Sequence, residues 1–177
     1  MIHIAYYRSK QFFSALNPTI SDDERQLVKM TLGNNLSALT LFEKMDKTDQ
    51  KHAIAVLQTI RNWGELNSSL LQAALLHDVG KSLGQPLFHR VLIVLLATFM
   101  PKILHKFGNA SLNCVAWRRP FVIHAKHHEI GATWAREAGC DELVVCLIRH
   151  HQQKPVINSD IQFEKFQAIL YQADSIN

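Results

Sequence analysis

An aliphatic run at residues 73–76 ends directly in a histidine and an aspartate, His77 and Asp78. A buried imidazole or carboxylate costs several kcal/mol unless it has a polar partner. These two side chains must therefore reach solvent at a helix end or meet other polar groups in the interior. The stretch AALLHDVGK thus constrains the whole fold, because an interior position requires distant parts of the chain to bring partners to it.

The size and composition of the chain predict one domain with a sizeable core. It has 177 residues, of which 47% are apolar and 19% charged, and a chain of this length can bury a large apolar core. The net charge of +4 is compatible with phosphorylated ligands but does not by itself indicate a partner. Three cysteines without a CxxC pair favour a reduced, cytoplasmic protein.

The pattern of apolar residues and helix caps predicts an all-α protein, folded as one compact bundle. A capping box at residues 21–24 opens the first helix, which breaks near Gly33. Later helices are expected from Asn35, from Thr48 or Asp49, from Asn67 or Ser68 to His77, at about 87–106 with a kink or division at Pro101, at about 121–138, from Asp141, and at about 161–174. We expect a single domain over residues 1–177, with a helical extension at 1–37 and an insertion with an apolar helix at 82–120. The stretch IHIAYY near the N-terminus stays open between strand and helix.

The segment VLIVLLATFM at residues 91–100 is almost wholly apolar. A helix that spans a membrane needs roughly 20 such residues. We therefore favour a buried or partner-facing helix, with the helix at 87–106 as a candidate homodimer contact. A contact with a membrane surface is the less favoured alternative. No secretory signal is expected, because Arg8 and Lys10 interrupt the N-terminal stretch.

Seven ionisable side chains fall on apolar faces of five predicted helices, where residues three, four or seven apart share one face. They are His52, His77, Asp78, His127, His150, His151 and Asp174. One such histidine is more often a hydrogen-bonded core residue than a ligand. A pair of divalent metal ions satisfies all seven at once, because imidazole and carboxylate suit iron, manganese, cobalt or zinc.

These residues resemble the H…HD…D pattern of the HD superfamily of metal-dependent phosphohydrolases. HDVGK at 77–81 is similar to the HD-x-GK stretch of that family, and HHEIGA at 127–132 resembles the HPEIGA motif of HD-GYP and HDIG-type members. LIRHH at 147–151 is similar to their I-x-x-HH segment, and YQADSI resembles the closing helix. The resemblance covers roughly residues 38–176 in the order of the family.

The resemblance implies a binuclear site of divalent ions such as Fe, Mn, Co, Mg or Zn. The first metal would be held by His52, His77, Asp78 and Asp174, and Asp78 would bridge to a second held by His127, His150 and His151. Thr48 stands where some HD-GYP enzymes have a glutamate for a third metal, so two metals are expected. The GYP signature is missing, so hydrolysis of cyclic di-GMP is not supported.

Three histidines of one predicted helix compete for one ligand position. His124 and His128 lie four residues apart and share a face, which could itself form a metal pair. His127 lies on the apolar stripe and stands four residues before Gly131, as the family's ligand does. We assign His127, and expect Gly131 to let another helix backbone approach closely.

The resemblance implies a phosphohydrolase that cleaves a phosphomonoester or phosphodiester, a nucleotide or related metabolite, with a metal-bridging hydroxide. Asp78 and Lys81 are the expected catalytic residues. Lys81 would place its ammonium on a substrate phosphate, although an ordinary solvated loop lysine is an equal alternative.

Two other functions stay open. The HD fold also hosts mixed-valent di-iron oxygenases with the same ligand set, in which the metal and its surroundings differ. A non-catalytic sensor or interaction domain is less favoured, because every expected ligand type is present. The sequence has no nucleic-acid motif and no Walker loop.

Overall fold

The computed structural model describes residues 18–155 and 162–177. These residues form nine α-helices and one 3-10 helix without a strand, which confirms the all-α prediction. The helices are α1 (Asp22–Leu32), α2 (Leu36–Lys44), α3 (Lys47–Asn62), α4 (Ser68–Leu76), the 3-10 helix (Val79–Leu83), α5 (Leu87–Phe99), α6 (Pro101–Gly108), α7 (Arg119–Glu137), α8 (Glu142–His150) and α9 (Gln162–Ile176). The stretch IHIAYY and residues 1–17 of the predicted N-terminal extension lie outside the described residues.

Most helices begin at the caps that the sequence indicates. Ser21 and Glu24 form the predicted capping box of α1, and the side chains of Asn35, Asn67 and Asp141 accept from the first turns of their helices. Helix α3 begins at Lys47, one residue before Thr48, because the carboxylate of Asp46 accepts the backbone N–H of Asp49 at 3.0 Å. An aspartate with extended backbone is a favourable N-cap, so the cap moves the start toward the N-terminus.

Helix α4 lies at the centre of the bundle. Its residues 73–76 and Leu70 are completely buried, and α1, α2, α3, α8 and α9 pack around it. Four consecutive apolar residues, 73–76, point to every side of the last turn of α4, which therefore needs such an all-round cover. Because α4 runs through the middle of the core, its C-terminal end delivers His77 and Asp78 to the interior rather than to solvent.

Two glycines let the 3-10 helix and α7 approach closely. A Cβ atom on Gly80 would lie 2.1 Å from the carbonyl oxygen of His127. A Cβ on Gly131 would lie 3.2 Å from Val79 Cγ1 and 3.3 Å from Ile148 Cγ2. The glycines of the HDVGK and HHEIGA motifs thus allow the contact that brings Asp78 next to His127.

Pro101 divides the predicted 87–106 helix into α5 and α6. Met100 between them has a non-helical backbone (φ −140°, ψ 56°), as expected when a proline removes a backbone donor. The apolar composition of α5 indicates a buried helix, but the structure places much of it in contact with solvent. Of its described side chains, only Ile93 is a buried hydrophobic one, and Phe88 and Phe99 are each 73% exposed. Helix α5 therefore lies on the surface. That it contacts a partner stays a prediction.

Among the described residues, no single helix is long and apolar enough to cross a membrane. One pair of segments, 68–83 and 88–99, meets the length and composition criteria together across a bend of 107°.

Candidate metal centre

Three side chains from distant parts of the chain form the first group of candidate metal ligands. His52 comes from α3, His77 from the end of α4 and Asp174 from α9, and their ligand atoms lie within 4.8 Å of one another. Asp174 Oδ1 is 2.9 Å from His52 Nε2 and 3.5 Å from His77 Nε2. His52 and Asp174 have side chains 25% and 28% exposed, so this group opens to solvent on one side.

A second group lies deeper. It consists of Asp78, His127 on α7 and His151 just after α8, all of them buried. Asp78 Oδ1 lies 3.2 Å from His127 Nε2 and 3.9 Å from His151 Nε2. The other oxygen, Oδ2, lies 3.5 Å from His77 Nε2. Asp78 therefore stands between the two groups and turns one carboxylate oxygen toward each.

Backbone carbonyls orient three of these imidazoles in the same way. Nδ1 of His77, His127 and His151 lies 2.9, 2.7 and 2.7 Å from the carbonyl oxygen three residues earlier. A carbonyl can only accept, so Nδ1 carries a proton and the lone pair of the neutral ring lies on Nε2. Each Nε2 faces the carboxylates, as a metal ligand must.

The Nε2 atoms of His77 and His127 are buried and have no partner in hydrogen-bond geometry. An unsatisfied buried polar atom costs about 1–3 kcal/mol, and such atoms are rare in native proteins. Divalent cations bound by imidazole and carboxylate would satisfy both. The two groups therefore fit the metal ions that the sequence predicted.

The comparison with known families agrees with this geometry. A model of the HD domain matches residues 50–176, which is more than half of the chain. The chain belongs to the HD domain family. No curated protein matches it, and no solved structure does. This HD domain is a helical fold with buried histidine and aspartate groups that could bind metal ions.

The charges of the HD domain site couple its ionisable groups. Burial acts to lower the pKa of His77, but the carboxylates of Asp78 and Asp174 outweigh it and raise that pKa to about 9. Burial acts to raise the pKa of Asp78, but Lys81 and His77 hold it well below its usual range. The pKa of Asp174 is likewise lowered, against burial, by the hydrogen bond with His52 and by the nearby imidazole of His77, whose Nε2 lies 3.5 Å away. Without a metal, an imidazolium thus sits between two carboxylates at neutral pH.

The imidazole of His151, in the second group, is uncharged at neutral pH. Burial and the positive charge of His77 lower the pKa of His151 to about 3. A neutral imidazole with its proton on Nδ1 is the form that ligates a metal. His151 is therefore ready to accept a cation at neutral pH without losing a proton.

Lys81 lies beside the carboxylate of Asp78, which stands between the two groups. Its Nζ is 2.5 Å from Asp78 Oδ2, and its side chain is 23% exposed. The alternative of an ordinary solvated loop lysine is therefore wrong. Its contact with a substrate phosphate stays a prediction.

The structure does not bring His150 into either group. Its Nδ1 lies 2.8 Å from the carbonyl of Cys146, and its ring packs edge-on against Phe163 at 5.7 Å. The neighbouring His151 lies in the second group instead. A role for His150 as a metal ligand stays a prediction.

Of the three competing histidines of α7, His127 lies in the second group. His124 is half-buried, and burial followed by the charge of His127 lowers its pKa to about 4. His128 is also half-buried, and its pKa is lowered by burial and by His127. Neither of the two is brought to Asp78.

Sequence reasoning missed an ion pair at the rim of the site. Asp49 is buried one turn before His52, and both of its oxygens lie 2.8 Å from the guanidinium of Arg90 on α5. Arg90 also contacts Asp46 at 2.5 Å and the carbonyl of Gln85 at 2.9 Å. The pair fastens α5 to the start of α3. The spacing of Asp49 from His52 placed it on the site's face, but its partner is 41 residues away.

Proposed function

We propose that this HD domain is a metal-dependent phosphohydrolase of the HDIG type, acting on a phosphomonoester or phosphodiester. The observation that carries the proposal is the position of Asp78, which turns one oxygen toward each histidine group. A carboxylate shared by two cations is a common feature of binuclear hydrolytic sites. The motifs HDVGK and HHEIGA support the hydrolase branch over the oxygenases.

The two groups divide the proposed ligands. His52, His77 and Asp174 would hold one divalent ion together with Asp78 Oδ2, and His127 and His151 would hold the other with Asp78 Oδ1. Ions bound there would supply a nucleophilic hydroxide at neutral pH and neutralise charge on the phosphoryl oxygens. The chain itself contributes preorganised rings, because three backbone carbonyls fix the lone pairs before any ion arrives.

In the proposed reaction, Lys81 would change its partner from Asp78 to a phosphate oxygen of the substrate. In the structure its ammonium is held by Asp78 Oδ2, and a cation on that oxygen would compete for the same electron pairs. The ammonium is then available for a phosphate oxygen, to which lysine binds as a point charge. This supports a substrate that carries a phosphoryl group.

A cavity beside the centre is large enough for a small phosphorylated metabolite. Its volume is about 460 Å³, within the usual range for ligand pockets. It lies between α6 and α7 and is lined in part by His105, His124, Lys126 and Gln152. The carbonyl of His124 orients His127, so the cavity adjoins the second group. We propose that it receives the part of a nucleotide or related metabolite that does not react.

Phosphate release tests the proposed function. Protein stripped with a chelator and reloaded with Mn²⁺ should hydrolyse members of a panel of phosphomonoesters, phosphodiesters and nucleotides, and the stripped protein should be inactive. The measurement is released phosphate or nucleotide product, with two metal ions per chain by elemental analysis. A parallel sample, loaded with iron without oxygen and then exposed to it, tests for oxygen uptake. Oxygen consumption without hydrolysis by any loaded form would instead assign the oxygenase activity.

Metal affinity is expected to rise with pH up to about pH 9. The pKa of His77 is raised to about 9 by the carboxylates of Asp78 and Asp174, against burial. Below that pH the ring is protonated, and a cation must displace the proton. The apparent association constant of the first site should therefore increase about tenfold per pH unit between pH 6 and pH 8. Isothermal titration with Mn²⁺ in two buffers of different ionisation enthalpy should detect about one released proton at pH 7.

His77→Gln is the matched variant for this measurement. Glutamine is polar and similar in size to histidine, but it does not bind a proton in this pH range. The metal affinity that remains in the variant should therefore no longer depend on the protonation of residue 77. A wild-type affinity that does not change between pH 6 and pH 8 would contradict the assignment of His77 as a ligand.

A further inference from the structure

The charge along the chain is strongly segregated. Residues 79–128 contain no aspartate or glutamate, although the whole chain has 15 of them. The same stretch carries Lys81, Arg90, Lys102, Lys106, Arg118, Arg119 and Lys126. It begins at the 3-10 helix and includes α5, α6 and the first half of α7. The stretch thus brings basic side chains to the surface and no acidic ones, although Lys81 and Arg90 are paired with acidic residues from outside it.

A row of exposed apolar side chains lies within this stretch, and we call it the α5–α6 face. It consists of Phe88, Val91, Val94, Leu95, Phe99, Met100 and Ile103, which are between 41% and 73% exposed. Phe88, Val91, Leu95 and Phe99 follow one another at three- and four-residue steps, so they share one side of α5. Soluble monomers seldom expose apolar patches of this extent unless the patch binds something.

Helix α5 is fastened in place while this side faces outward. Ile93 is buried on its inner side, and Arg90 is held by Asp46 and Asp49. The C-terminal end of α6 is fixed by Arg118, which donates to the carbonyls of Lys106, Phe107 and Asn109 at 2.6 to 3.1 Å. Helices α5 and α6 are therefore held against the rest of the domain while this face points outward.

Free cations border the α5–α6 face. Lys102, Lys106, Arg119 and Lys126 are exposed, and none forms an ion pair with another described residue. Trp117 is 56% exposed beside α6, where its ring meets Phe107 edge-on at 5.5 Å. An apolar centre, a basic border and an exposed tryptophan match the chemistry of an anionic lipid surface.

We propose that the α5–α6 face binds the surface of an anionic membrane. At 1.5 Å per residue, the 13 residues of α5 extend about 20 Å, too short to cross the hydrocarbon core. Helix α5 would lie in the plane of the headgroups, with its phenylalanines in the acyl boundary. The lysines of α6 would contact the lipid phosphates.

Charge favours a lipid surface over a second copy of the chain. In a symmetric dimer the same surface meets itself, so the unpaired lysines and arginines of both copies would face each other without an acid. Like charges brought together in this way are unfavourable. Anionic headgroups provide the missing negative charge. A nucleic acid would match the charge, and its bases could stack on the phenylalanines, but the exposed aliphatic side chains Val91, Val94 and Leu95 would have no apolar partner.

Vesicle flotation with the full chain tests the proposal. The protein should float with vesicles of phosphatidylcholine containing phosphatidylglycerol, with a partition coefficient at least about tenfold higher than for phosphatidylcholine alone. The binding should weaken as salt is raised from 50 to 500 mM because salt screens the lysines. It should persist in a chelator, which separates this result from the proposed metal chemistry.

Matched variants identify the surface. Phe88→Ser/Phe99→Ser should lower the partition coefficient about tenfold or more, whereas Met30→Ser/Leu36→Ser, which alters equally exposed apolar residues of α1 and α2, should leave it unchanged. Lys102→Gln/Lys106→Gln should lower binding to the anionic vesicles about tenfold. Lys29→Gln/Lys44→Gln removes the same charge from α1 and α2 and should have little effect.

Any one of four results would overturn the proposal. The first is failure to recover the full chain with anionic vesicles, and the second is flotation of the phenylalanine variant to the same extent as the wild type. A concentration-dependent dimer that is lost in the phenylalanine variant, with no flotation, would assign the face to a second copy. A chain that does not float and loses thermal stability in that variant would indicate that residues 1–17 cover the face.

Discussion

Asp78→Asn is expected to remove both metal ions and to lower phosphate release about a thousandfold or more. The substitution keeps the shape of the side chain and removes the charge that faces both histidine groups. Metal ions contribute several kcal/mol to phosphoryl transfer, and each 1.36 kcal/mol is a factor of ten in rate. Elemental analysis and product release under saturating Mn²⁺ measure the two effects.

Asp23→Asn is the matched control for this variant. Asp23 is exposed in the first turn of α1, so its substitution should leave metal content and hydrolysis unchanged. Circular dichroism of the Asp78 variant should retain the helical signal, which separates loss of the site from loss of the fold. A variant that retains two metals and the wild-type rate would exclude Asp78 as the bridging ligand.

Gly80→Ala is expected to destabilise the domain by about 3 kcal/mol or more. The added Cβ would lie 2.1 Å from the carbonyl oxygen of His127 and 2.8 Å from its carbonyl carbon. These are backbone atoms of α7, which cannot move aside as a flexible side chain can, and overpacking of rigid surroundings costs about 1–3 kcal/mol or more. The same displacement would separate His127 from Asp78. Urea unfolding measures the first effect and metal content the second.

Gly131→Ala provides a graded comparison on the other side of this contact. The nearest atoms to its added Cβ are methyl carbons of Val79 and Ile148 at 3.2 and 3.3 Å, which can shift by small rotations. We expect a smaller loss, about 1 kcal/mol. Equal unfolding midpoints for Gly80→Ala and the wild type would show that α7 can retreat without cost, contrary to this explanation.

The local pattern of the sequence determined the helical class and most helix boundaries. A cap acts on the turn that follows it, so Ser21, Asn35, Asn67 and Asp141 could be recognised without knowledge of the fold. Helical periodicity is equally local. It placed His52, His77 and Asp174 on inward faces, which is why the residue types of the first group could be proposed from the sequence. The HD motifs then indicated the family that the comparison confirmed.

Tertiary structure alone decided how these side chains meet. His52 and Asp174 are 122 residues apart in the chain, and no local pattern relates their ring and carboxylate. The adjacent His150 and His151 both follow apolar stripes, and only the packing of the helix end turns His151 toward Asp78 and His150 toward Phe163.

The segment 82–120 shows the same difference between what local sequence determines and what tertiary packing decides. Its apolar composition was plain in the sequence, but whether an apolar helix is buried depends on what packs against it. Arg90 fastens α5 to Asp49 across the fold and leaves its phenylalanines outside. A sequence determines which faces are apolar because side-chain direction repeats along a helix, whereas the covering of each face depends on contacts between helices that are distant in the chain.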